Sequence, residues 1–301
     1  MPKHTPPQIW QPDFAQHPLF AGFESACGEL EGSTWPTLSL LNRLAHKKEI
    51  LNAQHTTIQF TDQDAPKGQR AYEAQIHETG KVPTRAENWH DLLNACAWLT
   101  WPKLKAALNH IHCSQFMVTH KKVDSAVNND TDINLNDVNF NDVNFLAQHH
   151  DTPKTSEPFQ RNGISDTATL FDESGAVLIG PDPRLAQWLI DHDWQNAFGT
   201  HRYLWQSHRL LIVGHALLEK TLSPYPGMIA KVLYQPYPAT TPDQALGDVV
   251  TSVDTLLAQR WLNQTFTKPS DLFALPVLGV PGVDALNESP QYYENKNVFR
   301  P

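Results

Sequence analysis

Apolar and polar positions along this chain alternate with two different periods, and the clearest helical stretch is Thr84 to Trp101. Trp89, Leu92, Leu93, Cys96 and Ala97 recur at i, i+3, i+4, i+7 and i+8, one face of a 3.6-residue helix. Glu87, His90, Asp91 and Asn94 share the opposite arc, and Trp98 and Trp101 continue it. Thr84 and Glu87 have the spacing of a capping box, which predicts the helix start. A bend at Trp101 and a second helix from Pro102 follow. From Arg202 to Leu222 apolar residues fall on nearly all sides, which predicts a deeply buried helix. His208, His215 and Glu219 would then share one narrow stripe, with His215 and Glu219 at i, i+4.

The remaining pattern predicts smaller pieces. Helices are expected from Pro36 to about Lys47 and from Gln69 to Thr79, the second closed by Gly80 in the left-handed region. Asp182 followed by Pro183 reads as an N-cap and a first-turn proline, with a helix to about His192. A capping box at Thr241–Gln244 opens a helix to about Asn263, with Val249, Val253, Leu256, Leu257 and Trp261 inward. Thr56–Phe60 and Met228–Tyr234 alternate as strands. ATLF-DESG-AVLI, from Ala168 to Ile179, reads as a hairpin turning on Asp172–Gly175. Residues 1–33 form an irregular arm offering Trp10, Phe14, Phe20 and Phe23, and the tail from Leu275 wraps the body in extended form. The expected fold is α+β: a mainly helical single domain over residues 1–301, with a β-hairpin and a few other short strands.

Composition changes this picture in one region. Between about 114 and 165 the chain is rich in Asn, Asp, Ser, Thr and His, and repeats NDVNF at 136–140 and 141–145. So few apolar residues cannot offset the entropy of ordering the chain, so the segment reads as a disordered insertion inside the domain. The alternative is a partner-binding tether using Phe140 and Phe145. Elsewhere the 40% hydrophobic content is enough for a core. A formal net charge of −9, with no basic run, argues against nucleic acid or an anionic membrane as partner. No stretch has the apolar length of a membrane span. Cys27, Cys96 and Cys113 are odd in number and lack CxxC spacing, as expected of reduced thiols in a cytoplasm.

The candidate chemistry lies on the two polar stripes. In the leading reading the protein is a soluble hydrolytic or acid–base enzyme acting on a small molecule. His90, Asp91, His215 and Glu219 are catalytic, with Glu219 orienting His215, and Arg85, Asn94 and Trp98 bind substrate. A cofactor is not legible; if a divalent metal is bound, its ligands are His90, Asp91 and His215. The competing reading is a non-enzymatic binding or scaffold protein whose His–Glu pairs only build the fold. Asp172–Glu173 is read first as the hairpin turn and second as a carboxylate pair for acid–base or metal work. There is no GxGxxG, Walker loop, GxSxG elbow or HExxH.

Several long motifs also occur in order: YEAQIHETGKVPTRAENWHDLLNACAWLTWPKLKAALN, TLFDESGAVL, GHALLEKTLSPYPGMIAKVL, LPVLGVPG and the terminal VFRP. On these the chain resembles an uncharacterised bacterial family filed as domain of unknown function 3025 (DUF3025). The resemblance covers nearly everything outside the Asn/Asp-rich segment. It implies a single family domain and brings no activity or site residues with it. Where the family has Trp after the PG of the VPG motif, this chain has Val283.

The buried second stripe needs polar partners, and the Glu87–Asn94 arc is the nearest supply, so the two stripes are expected to face each other with His90 and His215 within about 10 Å. Brief proteolysis is expected to nick between Ser114 and Ser165 and leave two associated fragments; equal resistance along the chain would contradict the insertion reading.

Overall fold

The computed structural model describes residues 5–30, 32–121, 163–239 and 244–300. The predicted insertion at about 114–165 falls mostly on residues 122–162, outside the described residues. Its two ends are helical instead, because α5 (Pro102–Lys121) runs through the first and α6 (Gly163–Ser174) begins in the second.

Before α5 come α1 (Glu24–Cys27), α2 (Leu38–Lys47), β1 (Gln59–Thr61), α3 (Gln69–Thr79), β2 (Lys81–Pro83) and α4 (Trp89–Thr100). After α6 come β3 (Gly175–Gly180), α7 (Pro183–Ile190), β4 (Arg209–Ile212), α8 (His215–Thr221), β5 (Ile229–Pro236), α9 (Leu246–Leu262) and β6 (Phe273–Pro276). Two sheets form. β1 and β2 pair in parallel, with Phe60 opposite Val82, and α3 crosses between them. The main sheet has the order β4-β3-β5-β6. β3 is antiparallel to β4 and parallel to β5, and β6 closes the far edge antiparallel to β5. The fold is therefore α+β and mainly helical, as the pattern implied.

Local signals explain much of this. Gly80 ends α3 at φ +70, donating its N–H to Ile76 O, and a Cβ there would run into the Thr57 carbonyl. Thr37 caps α2 and Asp182 caps α7 ahead of Pro183. β3 has neighbours on both sides and is buried at every residue, which suits its unbroken apolar run. The N-terminal arm docks through its aromatics: Phe14, Phe20 and Phe23 are buried, and Trp10 stacks on Trp89 at 5.1 Å. The tail does more than wrap, since Phe273–Pro276 adds a strand. The proposed cap at Thr241–Gln244 lies largely outside the described residues, and α9 starts at Leu246 without a side-chain cap.

Three expectations are corrected. First, no hairpin forms around Asp172. Ile164, Ala168 and Phe171 are spaced as one helical face, so ATLFDES ends α6, and β3 begins only at Gly175. A four-residue apolar run is ambiguous in period, and packing against α5 and α8 decides it. Second, Arg202–Leu222 is three elements: a 3-10 turn (Arg202–Ser207), edge strand β4 and α8. Leu210–Ile212 is apolar on all sides because it pairs with β3. His208 consequently leaves the stripe and hydrogen-bonds to the Leu204 and Asp182 carbonyls at 2.8 and 3.0 Å. Third, α4 is capped by Asn88, whose Oδ1 accepts the Asp91 N–H at 3.0 Å, while Thr84 donates to the Val82 carbonyl and Glu87 sits outside the helix at φ 52.

Helix α4 lies among α1, α5 and α8, so nearly all of it is covered. Helix α5 is fixed at its start by Asp254 of α9, which accepts the Lys103 and Leu104 N–H groups at 3.1 and 2.9 Å. Leu217 in α8 is fully buried. Leu217→Ala is expected to cost about 2–5 kcal/mol in urea unfolding; a loss below about 1 kcal/mol would mean that burial of Leu217 is not what holds α8.

Candidate active site

Three short segments converge where α8 begins. His90 is the second residue of α4, Glu173 lies in the last turn of α6, and His215 is the first residue of α8. Their proximity follows from the backbone between them. The Val213 and Gly214 N–H groups both donate to the Gly175 carbonyl at 2.9 Å. A Cβ at Gly214 would stand 2.5 Å from the Glu173 carbonyl oxygen and the Gly175 nitrogen. Only glycine allows this approach, and it sets His215 directly beside Glu173. From the other side, the Trp101 indole N–H donates to the Ile212 carbonyl at 3.0 Å, tying the α4–α5 corner to the end of β4. Trp101, assigned to the polar arc by periodicity, is thus a fully buried structural anchor.

The imidazoles of His90 and His215 face each other nearly edge to face, with ring centroids 4.6 Å apart and Nε2 to Nε2 3.2 Å. The expected facing of the two histidines is therefore observed. Glu173 Oε1 lies 3.8 Å from His215 Nε2. The outer nitrogens point to carboxylates: His90 Nδ1 to Glu219 Oε2 at 3.2 Å and His215 Nδ1 to Asp172 Oδ2 at 3.8 Å. Glu219 thus holds His90 rather than His215, its helical neighbour. The His215 Nδ1 atom is buried without a hydrogen-bond partner.

The other predicted residues surround this cluster in different roles. Asp91 is fully engaged by Arg85, whose backbone N–H, Nε and Nη2 all donate to it at 2.8–2.9 Å. That leaves Asp91 no place among the convergent ligand atoms, and Glu173 takes the position the sequence reading gave it. Asn94 lines the cavity and bridges two buried groups, donating to the Tyr72 hydroxyl at 3.0 Å and accepting from Lys105 at 2.9 Å. Trp98 is 1% exposed and lies under Lys105, ring to ammonium 5.6 Å, so it supports the site from below instead of meeting substrate. Lys105 itself pairs with Asp172 at 2.5 Å. Lys105 and Tyr72 escaped the sequence reading as site residues, and Glu173 entered it only through the second reading of Asp172–Glu173 as a carboxylate pair. Lys105 left one trace, a lone cation among the apolar positions Leu104, Ala107 and Leu108.

Electrostatics divide the two histidines. Burial pushes the His215 imidazole down to about 3, against the opposing pull of Asp172. The Glu219 hydrogen bond raises His90, with further help from the Glu173 charge. Burial and the neighbouring Asp172 charge raise Glu173. Burial would also raise Asp172, but Lys105 and His215 hold it below the usual carboxylate range. A cavity of about 710 Å³ opens above, lined by polar side chains including Asp64, Lys67, Gln69, Tyr72, Arg85 and Thr169. His90, Glu173 and His215 form its floor, and their ligand atoms all lie within 4.8 Å of one another. The arrangement can pass a proton between two imidazoles or hold a cation among the three residues.

Gly214→Ala tests the backbone junction. The added methyl group is expected to cost about 1–3 kcal/mol through overpacking and to displace His215. Thermal unfolding and a histidine NMR spectrum read the two effects; wild-type values for both would mean the junction does not hold His215 in place.

The comparisons with known proteins add a family and nothing more. No curated protein and no solved structure matches this chain. A family model described as "Protein of unknown function (DUF3025)" matches residues 58–133 and 134–301, a span that includes every residue of the cluster. The chain belongs to that family.

Proposed function

We propose that this protein is a cytoplasmic enzyme of hydrolytic or acid–base type, acting on a small polar molecule at the His90–Glu173–His215 cluster. The observation that carries the reading is the convergence of two imidazole Nε2 atoms and one carboxylate oxygen on the floor of a polar cavity. The acids nearby are already engaged: Asp91 by Arg85 and Asp172 by Lys105. In this reading the convergent trio takes a proton from water and returns one to the leaving group. Glu219 orients His90, and the Tyr72–Asn94–Lys105–Asp172 chain keeps the floor rigid. Arg85, two-thirds exposed at its side chain, and Asn94 line the cavity and contact substrate. The three cysteines are free and buried, in keeping with a reducing compartment. No helix among the described residues is long and apolar enough to cross a membrane. A scaffold role would call for a broad apolar docking face; the feature found at this site is instead a polar concavity.

A panel of chromogenic esters, amides, phosphoesters and glycosides, with the full chain as catalyst, tests the proposal. Turnover of at least one class is expected, reduced by about 10²-fold or more in Glu173→Gln and in His215→Ala. Circular dichroism checks that both variants fold. Inactivity across the panel, or activity unchanged in both folded variants, would overturn the enzyme reading.

A further inference from the structure

We infer that His90 Nε2, His215 Nε2 and Glu173 Oε1 are the protein ligands of a divalent transition-metal ion of the zinc type, with Glu219 and Asp172 as the carboxylates behind the two imidazoles. The inference rests on the proposed active site and names what activates water there.

Distance is the first support. Two nitrogens bound to one tetrahedral zinc at about 2.0–2.1 Å stand about 3.3 Å apart. The His90 and His215 Nε2 atoms are 3.2 Å apart. Glu173 Oε1 is 3.8 Å from His215 Nε2, and all three ligand atoms fall within 4.8 Å of one another, so small side-chain rotations complete the set.

Proton counting is the second. Two neutral imidazoles carry one N–H each. Both outer nitrogens face carboxylates, so each is best served by holding its own N–H outward. The two inner lone pairs then converge at 3.2 Å, a separation at which the two rings either share one proton or bind one cation. With both N–H groups outward, a cation accepts both lone pairs at once. Outward N–H groups on carboxylates are also the arrangement by which metal-bound histidines are oriented and made more basic.

Charge is the third. Asp172 has Lys105 and Asp91 has Arg85, whereas no lysine or arginine among the described residues pairs with Glu173 or Glu219. A divalent ion would balance these two carboxylates. Access is the fourth. The His90 and Glu173 side chains are 37% and 42% exposed toward the cavity, while His215 is 5% exposed. Three protein ligands with one open side is the pattern of a catalytic site, in which the remaining position takes water or substrate; a structural zinc is enclosed by four protein ligands.

The test measures metal directly. Full-length protein stripped with chelator is titrated with Zn²⁺ by calorimetry, and the same protein is loaded with Co²⁺ to read visible ligand-field bands. One Zn²⁺ per chain is expected. Glu173→Gln and His215→Ala should abolish binding or weaken it at least tenfold, and Glu219→Gln should weaken it by about 10–100-fold. Asp91→Asn should bind as wild type, because Asp91 serves Arg85. Glu173→Gln is nearly isosteric and keeps the test open should His215→Ala fail to fold. No zinc uptake by the folded wild type at micromolar concentration, or stoichiometric uptake that survives both Glu173→Gln and His215→Ala, would overturn the inference. Zinc bound as described without turnover on the panel would sink only the hydrolase reading. Chelator-resistant turnover by protein that takes up no zinc would sink only the metal.

Discussion

The Gly175 carbonyl accepts two N–H groups, from Val213 and Gly214, and much of the molecule hangs on that point. It is where α6 becomes β3 and where β4 becomes α8. One side of the junction ends in Asp172 and Glu173, and the other begins with His215. Residues some forty positions apart in sequence are thereby held as neighbours by main-chain bonds, which side-chain motion does not disturb. Gly214 makes the approach sterically allowed, and the antiparallel β3–β4 ladder leading into it makes it rigid. Sites carried on such junctions are more precise than sites carried on free loops.

Beneath the junction sits a buried cation. Lys105 is surrounded by apolar helix packing and lies over Trp98, yet it keeps Asp172 and Asn94 as partners. Removing a charge from water is costly unless it is paired, and the Asp172 carboxylate and Asn94 amide oxygen accept two of the three ammonium N–H groups and supply that compensation. Asn94 extends the network to the Tyr72 hydroxyl on α3, so four helices, α3, α4, α5 and α6, meet in one polar chain. The effect is to lock Asp172 on the Nδ1 side of His215 and leave its sequence neighbour Glu173 to reach the Nε2 side. Adjacent residues on a helix diverge by about 100°, which is how one acidic pair serves two purposes.

The upper face differs. His90 and Glu173 are partly exposed, and the cavity above them is polar and open. A rigid, satisfied base under an accessible, incompletely satisfied floor is the distribution expected where a small molecule must enter while the reacting groups stay fixed. The aromatic arm contributes from behind, since Trp10 stacks on Trp89, the residue that precedes His90 and opens α4.

What the sequence determined by itself was local or was forced by burial. Helix α3 ends at Gly80 because a left-handed stop is encoded in one residue. The Asp182 cap of α7 and the helix start at Pro102 were legible for the same reason. The meeting of His90 and His215 was also legible, though not from local pattern: buried imidazoles need partners, and few were on offer. Tertiary structure decided the rest. The short apolar runs ATLF and LLIV fit either period, and only packing made the first a helix and the second a strand. That choice turned Asp172–Glu173 from a surface turn into the heart of the site and released His208 from it. It also decided which carboxylate meets which histidine, because Glu219 lies one helical turn from His215 yet bonds to His90. Helical spacing predicts that two side chains are near each other; the direction each one takes depends on what the neighbouring elements offer, and that is set only when the helices pack.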